Sequence, residues 1–531
     1  NGYESITGQI NVEFKKPQAT PFADANLYYN TKGKLEANLG GNLKLSERWS
    51  TALLGHYEIL DKAHDDNDDG FVDMPKMRQG SLQSRWAWLG DRYIFQASVK
   101  GLKEHREGGQ LSEECRVKSE EFASAMPSPY LIDITNERYE AFTKNAFFLN
   151  EEHATNIALI LSGSQHHENA TYGQKRYKAD QRNGYASLLF ETDIDEHHSL
   201  STGLSLNHDY LSEEYRVKSE KFATAIENVP GAYAQYTYKL GEQLTVMGGL
   251  RWDHSNIYGS FVTPRMHLNY SPNDIITLRG SIGKGYRTSH VLAENNYLLA
   301  SGRDIIIDDD LDQEEAWNFG VSVALSIPTG EKKLELSAEY YYTNFLHQVV
   351  TDLDSNPHAI YFTNLNGDSY SHTYQVEATY PFFDGFTMTA TYRRTNVKST
   401  YGGILKEKPL TNKYKGLLTA SYAPGLGKWQ FDVTLQLNGG GRMPTAYTTN
   451  EGLPSWSERY KGYEQLSAQV TRFFRYWSIY AGGENITGFK QKNPIFGADD
   501  PWSSNFDSTM IWGPIHGPVY YIGVRLNWNR F

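Results

Sequence analysis

Leu334-Glu335-Leu336-Ser337-Ala338-Glu339-Tyr340-Tyr341-Tyr342 changes character at nearly every step. Leu334, Leu336, Ala338, Tyr340 and Tyr342 form one set, and Glu335, Ser337, Glu339 and Tyr341 the other. Successive side chains of a strand point to opposite faces, so this segment reads as a strand with one greasy face and one wet face. The period recurs along the chain. Leu244, Val246, Gly248, Leu250 and Trp252 alternate with Thr245, Arg251 and Asp253. Ile276, Leu278, Gly280 and Ile282 alternate with Thr277, Arg279 and Ser281, and Tyr374, Val376, Ala378 and Tyr380 with Gln375, Glu377 and Thr379.

A soluble sandwich alternates in the same way, so the connections have to separate the two. Short turns are predicted near 45–49, 89–92, 240–243, 271–274, 381–385, 423–428 and 473–477. Between them lie long polar segments near 61–80, 105–136, 164–182, 210–231, 284–313, 344–370, 396–412, 439–462 and 485–518. A membrane barrel with tight turns at one rim and long loops at the other has this spacing. A propeller would repeat every roughly 40–50 residues, and no such repeat occurs. The expected fold is therefore all-β: a transmembrane antiparallel β-barrel of about 22 strands, an even number that brings both ends of the ring to one side. A ring that wide cannot be filled by its own side chains and is normally plugged.

Composition agrees. The 531 residues are 39% hydrophobic with a mean hydropathy of -0.58, yet 14% are aromatic, with 37 Tyr, 24 Phe and 11 Trp. No run of about 18 apolar residues occurs, which excludes a helical membrane protein. A barrel shows lipid only every second residue and concentrates aromatics at the two interfaces, which explains a polar yet aromatic chain. The net charge of -12 argues against nucleic acid as a partner. The lone Cys115 cannot form an internal disulfide, so cysteine usage says nothing about the redox compartment. No signal peptide stands at residue 1, so a processed or truncated start is expected.

Residues 65–73 read Asp-Asp-Asn-Asp-Asp-Gly-Phe-Val-Asp. Counted from Asp65, oxygen side chains fall at Asp65, Asn67, Asp69 and Asp73, Gly70 stands where a sharp turn is needed, and Phe71 can offer its carbonyl. That is the ligand spacing of a calcium loop, with Lys76 where a bidentate acid would stand. The alternatives are a structural calcium site and a solvated acidic loop; no cofactor is required. His166-His167 and His197-His198 tempt a metal reading, but adjacent histidines of a strand point to opposite faces and rarely share one metal, and the second pair is expected in a short periplasmic turn; both pairs are expected as solvated polar residues. Residues 111–125 (LSEECRVKSEEFASA) and 211–225 (LSEEYRVKSEKFATA) nearly match, either as similar loop elements or as matching walls of a vestibule.

Asn1-Gly2-Tyr3-Glu4-Ser5-Ile6-Thr7-Gly8-Gln9-Ile10-Asn11-Val12 resembles the last plug strand of TonB-dependent outer-membrane receptors, and Lys15-Lys16-Pro17 the exit from plug to barrel. Residues 283–289 (GKGYRTS) resemble the block that opens the family's seventh outer loop. Residues 308–314 (DDDLDQE), with Trp317 and Gly320, stand where the next strand resumes. Glu484-Asn485-Ile486-Thr487 resembles the turn before the last strands, and residues 519–531 end in an aromatic, Phe531. The resemblance covers essentially the whole chain, in the style of Bacteroidetes receptors. It implies residues 1–17 as the end of a plug, residues 18–531 as the barrel, and coupling to TonB through a plug region that this sequence lacks.

It also implies energy-coupled uptake of a scarce metal chelate (iron-siderophore, haem or cobalamin) from the Gram-negative outer membrane, whose lipid surrounds the barrel, with a surface lipoprotein lid as a second partner. The ligand would be caught by the outer loops, with Tyr286, Arg287, His290, Asn295, Asn296, Tyr297 and Arg303 in one, and Trp502 and Trp512 in the last. Haem receptors of the family carry Asn-Pro where Asp308-Asp309 stands, which argues against haem. A passive porin is the competing reading, as is a receptor subunit working with a surface lipoprotein. A third is an outer-membrane enzyme, for which no nucleophile elbow or zinc signature occurs; no enzymatic activity is expected.

Overall fold

The computed structural model describes residues 3, 4, 6, 16–111, 129–150, 154–217, 220–425, 427–449 and 451–528. Among the segments singled out above, Asn1, Gly2, Ser5, residues 7–15, most of 111–125 with Cys115, residues 218–219 and Phe531 lie outside the described residues.

Twenty-two antiparallel strands form one closed ring. The first, Ala23–Asn30, pairs with the last, Val519–Trp528, from Ala23 opposite Trp528 to Asn30 opposite Tyr521. Closure leaves no row of unpaired backbone groups facing lipid. One further strand of the sheet, Ile404–Glu407, is a short flap paired only with Phe386–Tyr401.

The period-two segments are strands with the expected faces. Leu250 is 57% exposed, Trp252 46%, Val321 57% and Val376 51%, and all point outward. Their neighbours Arg251, Ser322 and Gln375 take the other face, as do Thr263, Arg265 and His267 on the strand Gly259–Tyr270. An apolar surface that encircles the whole ring has no place on a water-soluble protein. At the short-turn rim the aromatics form a girdle: Trp49 with Trp88 at 5.3 Å, Tyr93 with Phe147 at 4.7 Å, Phe383 with Phe386 at 4.8 Å and Phe474 with Trp477 at 4.1 Å. Aromatic rings sit at such interfaces because one end is apolar and the other wet.

Two of the predicted outer loops are strand instead. Residues 164–182 belong to Thr155–Tyr172 and Lys175–Asp193, joined by residues 173–174, and most of 210–231 belongs to His198–Arg216 and Glu220–Leu240. Leu131–Asn150 has 20 residues and Glu220–Leu240 has 21, against 8 in Ala23–Asn30. About 9–11 residues cross the hydrocarbon, so one side of the wall stands well above the membrane. There both faces meet water, and the greasy-wet alternation that marks a strand in lipid disappears. In the second of the near-matching stretches, residues 211–216 accordingly pair with residues 220–225 on the neighbouring strand. His197 lies in the short turn before His198, and His166 and His167 alternate on a strand.

Candidate functional site

The long connections interlock at the outer rim. In the connection after Arg287, Val291–Asn295 is a short helix and Asn296–Leu299 a 3-10 turn. Leu292 and Leu299 are buried against Ala170, Tyr172, Tyr177 and Leu211 on the inner side of the tall wall. Leu298 packs with Leu353, Ile360 and Phe362. Downstream, Asp304–Ile307 pairs parallel with Ala359–Asn364, which pairs antiparallel with Val349–Asp352. The last long connection locks onto the same segment. Gly302 N donates to the Phe506 carbonyl at 2.6 Å, Arg303 Nε lies 2.9 Å from Asp507 Oδ2, and Lys175 Nζ donates to the Arg303 carbonyl at 2.7 Å.

This packing assigns each predicted ligand contact a place. Tyr286 is buried with its ring 4.5 Å from Phe261. Arg287 is paired with Glu314 at 2.7 Å and Glu294 at 2.8 Å. Asn295 Nδ2 donates to the Val291 carbonyl at 2.9 Å, and Asn296 Nδ2 donates to Glu168. Arg303 is only 2% exposed and lies over the Trp456 ring, so it ties loops together and does not face the mouth. Trp502 lies against Tyr130 at 5.4 Å, and Trp512 stacks on Tyr460 at 5.0 Å; both keep part of their surface. Tyr297 is 54% exposed and is the freest of the nine.

His290 Nε2 lies 3.5 Å from Asp209 Oδ2. Burial alone would push its imidazole down; the hydrogen bond and charge of Asp209, helped by Glu213 and Glu4, carry the balance upward. The folded protein therefore holds this proton more tightly than the unfolded chain. The contribution is complete below the ordinary imidazole pKa of about 6.5 and is lost as pH rises through the raised folded value. Amide exchange in 289–300, corrected for its intrinsic pH dependence, should quicken as pH rises above the ordinary imidazole value of about 6.5. In His290→Gln that pH step should vanish.

The 65–73 loop has the predicted turn, with Gly70 at φ 80 and Asp68 at φ 61. Asp65 accepts from the N–H of Asp68 at 2.8 Å and Gly70 at 2.8 Å, Asp69 Oδ1 accepts from Phe71 N at 2.9 Å, and Asn67 Nδ2 donates to Asp73 Oδ1 at 3.2 Å. Asp73 is pushed up to about 6, first by burial and then by the charges of Asp69, Asp65 and Asp66, against one backbone hydrogen bond from Asp66. Asp66 turns outward from the loop to bind Lys32 at 2.6 Å and the Gly517 N–H at 2.7 Å. The loop thus bridges the first and last outer connections where the ring closes.

Beneath the loops lies a cavity of about 660 Å³ against the inner wall. Arg265, His267, Lys284 and Lys408 line it together with Tyr341, Phe345 and Tyr401, and among the described residues no carboxylate does. Lys284 is neutralised by Glu315 at 2.5 Å, just outside the lining. These basic residues escaped the sequence reading because they come from strands and a loop spread over more than a hundred positions. Only the inward parity of Arg265 and His267 hinted at them.

The family model described as TonB dependent receptor-like, beta-barrel, matches residues 5–486. The iron-regulated outer membrane virulence protein of Vibrio cholerae serotype O1 is 25% identical over 155 residues, 29% of this chain and only 23% of that relative's length. Among solved structures, a mutant of the ferric enterobactin receptor PfeA of Pseudomonas aeruginosa superposes with a TM-score of 0.71 at 13% identity, over 99% of this chain and 83% of its own. The siderophore receptor PirA of the same organism gives 0.67 at 11%, over 99% and 84%. The copper transporter OprC gives 0.72 at 12%, over 95% and 80%. At these identities the structural likeness is one of fold, and the ring those proteins share is the ring described above. With the family match running through nearly every strand of that ring, the chain belongs to the TonB-dependent receptor-like β-barrels of the Gram-negative outer membrane.

Proposed function

We propose that this barrel imports a scarce anionic metal chelate, catching it at the outer mouth and drawing it inward with energy delivered through TonB. One observation carries the reading. A chain with 63 acidic and 51 basic residues lines its inner cavity with Arg265, His267 and Lys408, besides Lys284 paired to Glu315, and with no carboxylate among the described residues. A concave site with such a lining favours anions over cations. Tyr341, Phe345 and Tyr401 add the flat apolar surface that an aromatic chelator would need. The names of the relatives point the same way: two receptors for siderophores, a copper transporter and an iron-regulated protein. Tyr297, Trp502 and Trp512 would make first contact. Residues 1–17 would close the plug, and residues 18–531 form the barrel around it.

The test is uptake of a labelled ferric tricatecholate by cells carrying the whole protein. Uptake should stop when the proton gradient is collapsed; uptake that persists would favour a passive porin. Arg265→Glu with Lys408→Glu should weaken chelate binding by roughly tenfold or more, about 1.4 kcal/mol, with binding of a neutral chelate unchanged.

We also propose that calcium occupies the 65–73 loop, with Asp65, Asn67, Asp69, Asp73 and the Phe71 carbonyl as oxygen donors. The support is electrostatic: mutual repulsion and burial hold the Asp73 carboxyl well above its ordinary range, and a divalent cation would relieve that. Calcium should raise the unfolding temperature and a chelator should lower it. Because Asp73 must ionise to bind, the calcium effect should fade as pH falls through about 6. No calcium response at neutral pH would leave the loop as a hydrogen-bonded acidic clasp.

A further inference from the structure

The ladder between Gly259–Tyr270 and Ile276–Arg287 stops early. Its last pair is Arg265 opposite Gly283, although both strands continue toward the outer rim. The next residue on the first strand is Pro264, which has no N–H to give. Above that point the second strand faces a gap on this side. Tyr3 and Glu4 fill it. Glu4 N donates to the Tyr286 carbonyl at 3.0 Å, and Thr288 N donates to Glu4 Oε1 at 3.0 Å. The Tyr3 hydroxyl donates to Glu227 and lies 2.9 Å from Thr288 Oγ1. Its ring joins a cluster of Val229, Phe261 and Tyr286, and Asn318 holds the Ile6 carbonyl. Tyr286, Thr288 and Glu227 are all buried, so the groups that Tyr3 and Glu4 satisfy have little access to water.

The residues completed in this way are the root of the connection that carries Arg287, His290 and Tyr297. A buried carbonyl, N–H and carboxylate that lose their partners together are costly to leave unpaired. We propose that Tyr3 and Glu4 are a removable wedge: seated, they complete the strand Ile276–Arg287 and order the outer loop that follows; withdrawn, they loosen it. Displacement of Tyr3 and Glu4 toward the inner side then reaches the mouth, and Tyr3 and Glu4 are positioning residues for the loop. The transport reading supplies only the reason for withdrawal, a pull from the inner side; the seating itself needs no cargo.

Hydrogen exchange of the whole protein in detergent, with no ligand added, tests the wedge. Glu4→Ala should make amides of 288–300 exchange roughly tenfold or more faster while Val519–Trp528, across the ring closure, keeps its rate. Tyr3→Phe should show part of the effect, since the ring stays and the hydroxyl goes. Glu4→Gln keeps an acceptor for the Thr288 N–H and should restore slow exchange. Unchanged exchange in Glu4→Ala overturns the proposal, and so does acceleration spread equally to Val519–Trp528 without rescue by Glu4→Gln. Chelate binding measured on the same samples keeps the two ideas apart. A wedge that works in a protein that binds no chelate sinks the transport reading alone, and a chelate-binding protein whose loop ignores Glu4 sinks the wedge alone.

Discussion

Replacing Arg303 by alanine should free the outer loops from one another at a cost of about 3–5 kcal/mol, the usual penalty for stranding one member of a buried ion pair. Arg303 is 2% exposed and Asp507 is 2% exposed, so the carboxylate left behind would have no water to turn to. Thr509 serves only its other oxygen, through N at 2.8 Å and Oγ1 at 2.6 Å. The pair also marks where two backbones meet: Gly302 lies so close to residues 503 and 504 that a Cβ there would fall 2.3 Å from the Ser503 carbonyl. Removing both charges together, as Arg303→Met with Asp507→Leu, should recover most of the loss, because two apolar side chains can occupy that space without a desolvation cost. Limited proteolysis between residues 288 and 313 in urea reads both variants. Arg303→Ala should be cut at much lower urea while the barrel strands stay protected. Resistance of Arg303→Ala equal to that of the unsubstituted protein would show that the latch is held by the backbone contacts and the Lys175 bridge alone.

How much of this molecule could be read from its sequence depended on where lipid lies. Within the membrane each strand is wetted on one face and greased on the other, so Leu334 to Tyr342 and Leu244 to Trp252 announce themselves. Above the membrane the same backbone carries Gln165, His166, His167 and Glu168 in a row, polar on both faces, and the strand is invisible to periodicity. The tight outer turn at 173–174 was missed for the same reason. The 283–289 block located the root of the main outer loop. It could not supply Asp209 for His290, Glu168 for Asn296, or Asp507 for Arg303, since these partners lie 81, 128 and 204 positions away and meet only because the ring closes. Arg303 was expected at the ligand because it stands in the long outer loop that follows the 283–289 block. Its burial follows from the interlocking of two loops, which a single segment cannot reveal.

The lipid face itself gives the other large prediction. Leu250 sits near the middle of the strand Leu244–Ser255, points outward and is 57% exposed. Thr373 lies on Ser369–Phe383, ten residues from the short-turn end against six for Leu250, and lines the inner cavity. An arginine at the bilayer midplane on the outside of a barrel costs about 2–4 kcal/mol, whereas a lumen substitution mainly alters selectivity. Leu250→Arg should therefore lower folding stability in vesicles by that amount. Thr373→Arg, with the same added charge and greater added bulk, should cost less than about 1 kcal/mol, because its guanidinium can stay in water. Urea titration followed by tryptophan fluorescence in lipid vesicles measures both. In detergent micelles, which thin and deform around a charge, the gap between the two variants should narrow. If the two arginines cost the same in vesicles, the face carrying Leu250 and Trp252 does not meet hydrocarbon. The alternation that identified the strands would then have been a soluble core turned inside out.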